Sequence, residues 1–347
     1  MPPTRPRLTP AIAHVRRAVR PSLASLIPEA GDNPLVLVAL SGGPDSLALA
    51  AATAFEAPRV GFRAGAVIVD HGLQKGSADV AAAAAAHATR LGLRPVIVRT
   101  VDVGGGGGPE AAARTARYTA LSDVADETGA VAVLLGHTLD DQAETVLLGL
   151  ARGSGATSLQ GMAPRTGRYL RPLLGIRRSV TVRFCVDVGL DPWHDPQNGD
   201  HAFARVRVRE SLLPEFEKEL GPGIAEALAR TAEQLREDSE ALDYFALELA
   251  EDLAEHSEAG ISLPARALAA NPPALRQRLI RLVVASEFDV SLSRAQTLEV
   301  VRLVTDWHGQ SPLHLPGIRV ERRGGLLQFS ATSDPAASET AATEVKE

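Results

Sequence analysis

The feature that most constrains the fold is the alternation of short apolar runs with longer helical patterns in the first half of the chain. Four runs rich in valine and leucine have the length of β-strands, and apolar residues at helical spacing follow each of them. This alternation is typical of βαβ units, which form a parallel sheet with helices on both faces. The predicted strands are residues 35–40, 64–70, 94–101 and 131–136, and the predicted helices are residues 44–55, 77–91, 109–128 and 139–151.

The second half of the chain has a different pattern, which predicts a second domain. A helix is predicted at residues 176–188, and from about Pro214 apolar residues recur at the three-to-four spacing of amphipathic helices. A hairpin is predicted from residues 313–320 and 326–329 around Gly324-Gly325. The predicted fold class is therefore α/β, with a doubly wound, mostly parallel sheet followed by a smaller, mainly α-helical domain.

The domain boundaries are predicted from the same changes in pattern. Residues 1–33 form an N-terminal extension with a helix, residues 34–214 the α/β domain, and residues 215–330 the helical domain that ends in the hairpin. The tail at residues 331–347 is rich in Ala, Ser, Thr and Glu and is expected to be disordered. The five consecutive glycines at residues 104–108 are expected to form a mobile loop, because they have too much backbone entropy for a helix or strand interior.

Composition excludes several classes of protein. The longest apolar runs are strand-sized, well short of the ~18–20 residues that a membrane-spanning helix needs, so no membrane partner is expected. The first twenty residues carry five arginines and lack the apolar core of a secretory signal, which favours a cytoplasmic location. Cys185 is the single cysteine, so internal disulfides and Cys-x-x-Cys chemistry are excluded. The oligomeric state stays open, with a homodimer as one candidate.

Charge is distributed unevenly along the chain. The net charge of −6 by itself argues weakly against a nucleic-acid partner, yet residues 165–183 hold six arginines and no acidic residue. By contrast, residues 215–258 hold fourteen acidic and three basic residues. Both runs could be solvated helix faces. The alternative is that the arginines contact RNA.

The strongest local signal is the segment Ser41-Gly42-Gly43-Pro44-Asp45-Ser46, which follows the first predicted strand and opens a helix. Its glycines let backbone N–H groups approach a phosphate, its serines add donors, and the helix N-terminus attracts the anion. The segment lacks the Gly-Lys-Ser/Thr of a Walker A motif. Asp45 would lie beside the phosphates, which implies a magnesium ion between them, although an acid favoured by the helix dipole is the alternative.

This loop resembles that of the N-type ATP pyrophosphatases, which holds the pyrophosphate portion of ATP. Further motifs, in the same order along the chain, resemble the tRNA(Ile)-lysidine synthetases within that superfamily. Together they cover residues 34–214. They are VDHGL at 69–73, EAAARTARY at 110–118, GHTLDDQAET at 136–145, RGSG at 152–155, RPLL at 171–174 and the stretch 195–214.

The resemblance implies a specific reaction. Family members adenylate the wobble cytidine of the isoleucine tRNA with a CAU anticodon, using ATP and releasing pyrophosphate. The amine of free L-lysine then displaces AMP to give lysidine, which changes codon reading from AUG to AUA. The implied ATP-binding residues are Ser41, Gly42, Gly43, Pro44, Asp45 and Ser46, with Asp45 also holding Mg²⁺.

The implied substrate and catalytic residues are Arg114, His137, Asp141, Glu144 and Arg205. His137, Asp141 and Glu144 fall on one face of the helix that follows the fourth strand, where open α/β sheets place ligands. Two carboxylates there can receive an ammonium group of lysine, and Arg205 is the candidate for its carboxylate. An exposed acidic helix start is the alternative for the carboxylates, and surface ion pairs are the alternative for Arg114 and Arg117.

The arginine-rich segments are candidates for the RNA path. We expect tRNA contacts from Arg165, Arg168, Arg171, Arg177, Arg178, Arg207 and Arg209.

Two other functions remain open from the sequence. A tRNA thiolase of the same superfamily would also adenylate a base, but its sulfur chemistry generally needs cysteine thiolates or a cluster, and Cys185 is predicted to be a small buried hydrophobe. A non-catalytic ATP-binding sensor would bind ATP without turnover. Pyrophosphate release with and without tRNA and lysine separates these functions.

Overall fold

The computed structural model describes residues 8–29, 31–72, 76–104, 109–153, 155–193, 195, 199–257 and 260–332. Most of the glycine run at 104–108 and of the tail at 331–347 lies outside the described residues, although Ala331 still belongs to a strand. In the described part, no helix combines the length and hydropathy needed to cross a bilayer.

The elements up to residue 253 begin with the predicted alternation of strands and helices, which extends through α5. The helices are α1 (Pro10–Ala24), α2 (Pro44–Glu56), α3 (Ser77–Arg90), α4 (Pro109–Thr128), α5 (Leu139–Arg152), α6 (Ala156–Leu159), α7 (Arg178–Val188), α8 (Ala204–Arg207), α9 (Leu213–Leu220) and α10 (Ile224–Leu253). The strands are β1 (Leu35–Ala39), β2 (Arg63–Asp70), β3 (Val96–Thr100), β4 (Ala130–Leu134), β5 (Arg165–Thr166) and β6 (Tyr169–Leu170).

These strands form one sheet in the order β3-β2-β1-β4-β6-β5. All neighbouring pairs are parallel except β5 with β6, so the prediction of a mostly parallel sheet is confirmed. Both faces of β1 are buried, as expected for a central strand between two helical layers. Leu35 and Leu37 pack in the cluster that contains α4, whereas Val36 and Val38 pack in the cluster that contains α1, α2, α3 and α7.

The N-terminal helix α1 belongs to this core. Its residues Ile12, Val15, Val19 and Leu23 are buried in the same cluster as Val36 and Val38. The segment predicted as an N-terminal extension is therefore packed as a layer of the α/β unit.

The chain divides into two compact units, Met1–Leu235 and Arg236–Glu347. The division falls inside α10 and is later than the predicted boundary at residue 214. The reason is packing: Leu213 of α9 and Ala225 of α10 are buried in one cluster with Leu139, Ala143 and Leu147 of α5.

The second unit contains more β-structure than the sequence predicts. Its helices are α11 (Ala265–Ala270), α12 (Pro273–Phe288) and α13 (Arg294–Thr305). An antiparallel sheet in the order β7-β8-β11-β10-β9 shares a core with them. The strands are β7 (Glu255–Ser257), β8 (Gly260–Pro264), β9 (Leu313–Leu315), β10 (Ile318–Arg323) and β11 (Leu326–Ala331).

The predicted hairpin is present as β10 and β11. Gly324 and Gly325 connect them with φ values of 58° and 84°, the left-handed conformation that two-residue hairpin turns require. One prediction in this region is corrected: residues 313–320 form two strands, because the chain turns at Gly317 (φ 77°).

The second unit is mainly helical, as predicted, and β7 and β8 extend its sheet beyond the predicted hairpin. β7 (Glu255–Ser257) contains no apolar residue and β8 (Gly260–Pro264) alternates Ile261 and Leu263 with other residues, so neither has the continuous apolar run by which the strands of the first unit were predicted.

Candidate active site

A cleft of about 680 Å³ opens at the carboxyl ends of β1, β2 and β4. Its walls include the loop after β1, Asp70 and His71 at the end of β2, and Gly136 and His137 after β4. Parallel strands present their carboxyl ends at one edge, and open α/β sheets bind ligands there. The cleft is therefore the candidate active site of the first unit.

The loop after β1 has the form of an anion-binding turn. Gly42 has a φ of +85°, and the Ser46 hydroxyl donates to the Gly43 carbonyl oxygen (3.0 Å) while it accepts from the Ser41 N–H (3.2 Å). A Cβ at Gly136 would lie 3.1 Å from the Ser46 nitrogen, so the start of α2 packs directly on the chain that leaves β4. Five of the six predicted ATP-binding residues line the cleft: Ser41, Gly43, Pro44, Asp45 and Ser46.

Gly42 contributes through its backbone. Its carbonyl oxygen accepts a hydrogen bond from the Trp193 N–H (3.0 Å), which joins the loop to the chain after α7. Trp193 also lines the cleft. Nothing in the sequence pattern had pointed to this residue.

Asp45, the predicted magnesium ligand, is largely buried and has two protein partners. Its Oδ2 lies 3.2 Å from Nε of Arg178, and its Oδ1 accepts a hydrogen bond from the Thr181 hydroxyl. Burial raises the pKa of Asp45 above its ordinary value, although Thr181 and Arg178 oppose the shift. Among the described residues, no group of three or more His, Cys, Asp or Glu side chains forms a metal-binding cluster.

Asp141 is held at the start of α5 by a capping box. Its Oδ2 accepts from the backbone N–H and the hydroxyl of Thr138 (both 2.8 Å), and its Oδ1 accepts from Arg178 (2.7 Å). Burial alone would raise the pKa of Asp141, but Arg178 and the Thr138 hydrogen bonds outweigh it and hold the pKa below the ordinary value. This carboxylate is therefore ionised at neutral pH.

Glu144 is fully buried one turn further along α5 and is surrounded by arginines. Arg209 donates to both of its carboxylate oxygens (2.7 and 3.1 Å), and Arg178 and Arg205 lie 3.3 and 3.6 Å from it. The structure thus brings the predicted substrate residues Asp141, Glu144 and Arg205 together. It also shows that both carboxylates already have guanidinium partners, which the sequence did not reveal.

His137 lies in the cleft wall, next to the start of α5. Burial is the main reason that its pKa falls to about 4; Asp141 opposes the shift, and nearby arginines reinforce it. The imidazole is therefore neutral at pH 7. Its Nδ1 is buried and makes no hydrogen bond to the described part of the protein.

Arg114 and Arg117 occupy neighbouring positions on α4. Arg114 is exposed and lies 4.9 Å from the ring centre of Tyr118, and it is not among the residues that line the cleft. Arg117 does line the cleft. Sequence reasoning had singled out Arg114 for the site, although both residues belong to the same motif.

The arginines predicted to contact tRNA have partners within the protein. Arg165 pairs with Glu29 (2.5 Å), Arg168 pairs with Asp126 (2.6 Å), and Arg209 and Arg178 belong to the carboxylate cluster described above. The remaining three are tied to acids or carbonyls: Arg177 to Asp140, Glu217 and Glu226, buried Arg171 to the carbonyl of Ala163, and Arg207 to the carbonyls of His201 and Ala202. Much of the positive charge in these segments is therefore compensated.

Comparisons with known proteins identify the two parts of the chain. Residues 16–216 match the PP-loop domain, and residues 263–327 match the TilS substrate binding domain. A solved structure of the U34-tRNA thiolase NcsA from Methanococcus maripaludis, with its [4Fe-4S] cluster, has a TM-score of 0.56 and 22% identity. It covers 65% of this chain and 80% of its own, which shows a shared fold. The fold and the cleft thus define a PP-loop protein.

The relatives are closer in sequence. The tRNA(Ile)-lysidine synthase of Leifsonia xyli subsp. xyli is 66% identical over 85% of this chain and 89% of its own length. The protein of the same name from Thermobifida fusca is 54% identical over 90% of this chain and 95% of its own. The chain belongs to the tRNA(Ile)-lysidine synthase family.

Proposed function

We propose that this protein joins free L-lysine to the C2 position of the wobble cytidine in the isoleucine tRNA with a CAU anticodon. ATP first adenylates the cytidine, with release of pyrophosphate, and lysine then displaces AMP to give lysidine, which reads AUA. The observation that carries this proposal is the placement of the Ser41–Ser46 loop and Asp141 in one cleft, with buried Glu144 linked to Asp141 through Arg178, in a chain that belongs to this family. We also place the reaction in the cytoplasm.

In the first step, the C2 oxygen of the cytidine attacks the α-phosphorus of ATP. The bond from that phosphorus to the bridging oxygen breaks, and the electron pair leaves with pyrophosphate. The loop at residues 41–46 and the N-terminus of α2 suit this leaving group, because backbone N–H groups and the helix dipole favour phosphate oxygens.

Magnesium fits this site as an ion held mainly by its substrate. Mg²⁺ is commonly bound by one or two carboxylates, with phosphates and water completing the coordination. Asp45 supplies one carboxylate at the phosphate loop, beside Arg178 and Thr181. When bound, the ion would neutralise charge that develops on the pyrophosphate.

In the second step, an amine of lysine attacks C2 of the adenylated cytidine, and the bond from C2 to the AMP oxygen breaks. The attacking amine loses a proton, for which His137 and the carboxylates of the cleft are the nearby acceptors. Asp141 and Glu144 supply negative charge for the ammonium groups, and Arg205 is the candidate for the lysine carboxylate. Lysine would have to share these carboxylates with Arg178 and Arg209.

The second unit would select the tRNA. It contains the match to the TilS substrate binding domain at residues 263–327, which supports a role in holding the RNA. The alternative of a thiolase receives no support from the cysteine content, because Cys185 is buried and burial raises the pKa of its thiol to about 12.

The experiment that tests the proposal measures pyrophosphate release and lysidine formation. The purified protein, ATP and Mg²⁺ are combined with isoleucine tRNA transcript, with methionine tRNA transcript, or with neither, each with and without lysine. We expect pyrophosphate release to need the isoleucine transcript and lysidine to need lysine as well. ATP binding without turnover under all conditions would refute the proposal and favour a sensor.

A further inference from the structure

Arg178, the first residue of α7, contacts three carboxylates at once. Its Nε lies 3.2 Å from Asp45, its Nη2 lies 2.7 Å from Asp141, and its Nη1 lies 3.3 Å from Glu144. Burial alone would lower the pKa of the guanidinium, but the three carboxylates outweigh it and hold the pKa above its ordinary value. Each nitrogen of this fixed cation therefore faces an acid.

The three carboxylates belong to two subsites of the proposed reaction. Asp45 lies in the first turn of α2, beside the phosphate loop, whereas the other two lie on α5 and are the proposed partners of the lysine ammonium groups. Arg205 and Arg209 also reach carboxylates of α5, but no ion pair in the described part of the chain joins either of them to Asp45. Arg178 therefore links the phosphate loop to the proposed lysine site.

Without a ligand, the charges of this cluster balance. In their ionised forms, three carboxylates face three guanidiniums: Asp45, Asp141, Glu144, Arg178, Arg205 and Arg209. Lysine carries two ammonium groups and one carboxylate, so its entry alone adds a net positive charge beside guanidiniums that already occupy these acids. ATP adds negative charge at the loop. Because an unpaired buried charge is costly, binding of the nucleotide should favour binding of lysine.

We propose that Arg178 makes the binding of lysine depend on the nucleotide, by turning from the α5 carboxylates to a phosphate when ATP occupies the loop after β1. This inference rests on the proposed function and makes Arg178 a positioning residue, which frees Asp141 and Glu144 for the lysine ammonium groups only after ATP has bound. Its contact with Asp45 already holds the Nε beside the loop, so only the two Nη atoms have to change partners. Phosphate oxygens accept paired hydrogen bonds from a guanidinium, so they replace the carboxylates without leaving the cation unpaired.

This order of binding suits the two steps of the reaction. Lysine reacts only in the second step, so a site that opens after ATP has bound fills when the amine can be used. Every charged group keeps a partner during the exchange, because the guanidinium passes to a phosphate while the ammonium groups pass from water to the freed carboxylates. Coupling between two sites is reciprocal and typically amounts to about 5–150-fold in affinity.

The first arm of the test measures the Kd of L-lysine by calorimetry in the wild type, without tRNA. The protein is alone, saturated with adenosine, or saturated with Mg²⁺ and α,β-methylene-ATP, an analogue that cannot release pyrophosphate. We expect the analogue to tighten lysine binding by about 10–100-fold, within the usual range of coupling between two sites. Adenosine should leave the Kd unchanged, because it brings no phosphate to the loop.

The second arm repeats the measurement in Arg178→Met and in the matched control Arg209→Met. Arg209 contacts the same two carboxylates of α5 as Arg178 does, but it has no contact with Asp45 among the described ion pairs. In Arg178→Met, the analogue should change the Kd of lysine by less than about twofold, because lysine no longer competes with a guanidinium that the phosphates draw away. Arg209→Met should keep the coupling of the wild type, and Arg178→Lys, which lacks the planar fork, should keep only part of it.

The wild-type measurement tests the inference even if Arg178→Met does not fold. A lysine Kd that is the same with and without the analogue overturns it, and so does lysine that binds in neither state. Coupling that survives in Arg178→Met, or that is lost equally in Arg209→Met, overturns the assignment to Arg178. Formation of lysidine by the wild type decides the proposed function separately: a protein that forms lysidine without the coupling refutes only the role of Arg178.

Discussion

Replacing Glu144 by glutamine tests whether the cluster of acids and arginines holds the first unit together. The side chain is fully buried, and three guanidiniums lie within 3.6 Å of its oxygens. Glutamine has nearly the same shape but no charge, and its amide NH₂ would face a guanidinium. The variant therefore removes the counter-ion that Arg178, Arg205 and Arg209 share, although Arg178 keeps Asp45 and Asp141, and Arg209 keeps Asp141 at 3.6 Å.

The expected loss follows from the exposure of the three partners. Removing one member of a buried ion pair costs roughly 3–5 kcal/mol, because the other charge stays buried and unpaired. Here Arg178 and Arg209 keep other carboxylates, and the side chains of Arg178, Arg209 and Arg205 are 22%, 25% and 37% exposed, so each can regain some contact with water. We therefore expect the lower end of that range, about 3 kcal/mol less free energy of unfolding.

The two tryptophans provide an assay for the first unit alone. Trp193 lines the cleft in the first unit, and Trp307 lies in the second. In a Trp307→Phe background, fluorescence during urea unfolding reports the first unit through Trp193. The urea midpoint should fall in the Glu144→Gln variant while the slope with urea concentration stays the same, because the exposed area on unfolding does not change.

A surface pair supplies the matched control. Glu29 and Arg165 form an ion pair in which both side chains are roughly half exposed, so Glu29→Gln should cost less than about 1 kcal/mol. If Glu144→Gln costs no more than Glu29→Gln, the cluster does not stabilise the unit and the reasoning is refuted. In the folded variant, the KM for lysine should rise by about 10–100-fold and the KM for ATP much less. Equal losses for both substrates would assign Glu144 to the nucleotide instead.

Three further predictions concern the cleft and the RNA. Asp45→Asn should keep the fold and slow pyrophosphate release by about 10²–10³-fold, measured in single turnovers at saturating ATP. His137 has a pKa of about 4 in the folded protein, below its unfolded value, so its contribution to stability is complete above about pH 6.5 and is lost as the pH falls towards 4. The free energy of unfolding is measured at pH 7 and at pH 4.5. The difference between the two values should be smaller in His137→Asn than in the wild type, by up to about 3 kcal/mol. Affinity for tRNA should fall steeply as the salt concentration rises. If Arg165 and Arg168 contact phosphates, replacing both with alanine should reduce the slope of log affinity against log salt by about two. An unchanged slope would show that the two arginines do not contact the RNA.

Local patterns in the sequence were sufficient for the architecture of the first unit. The valine-rich strands are buried on both faces, and such strands appear as short continuous apolar runs between helical patterns. The loop at residues 41–46 could be found because an anion-binding turn requires glycine at Gly42, where φ is positive, and a helix start directly after it. These features depend on residues that are neighbours in the chain, so the sequence alone determined them.

Tertiary structure decided which charges of the site are compensated. Glu144 meets Arg178 and Arg209, which are 34 and 65 residues away, and no local pattern predicts which guanidinium reaches which carboxylate. The same holds for Arg117, whose buried Nε makes no hydrogen bond among the described residues, because this shows only when the neighbouring elements are in place. It also holds for the division of the chain inside α10, since the packing of Ala225 on α5 assigns the start of that helix to the first unit. Long-range pairing depends on how separate elements pack, and therefore only the folded chain determines it.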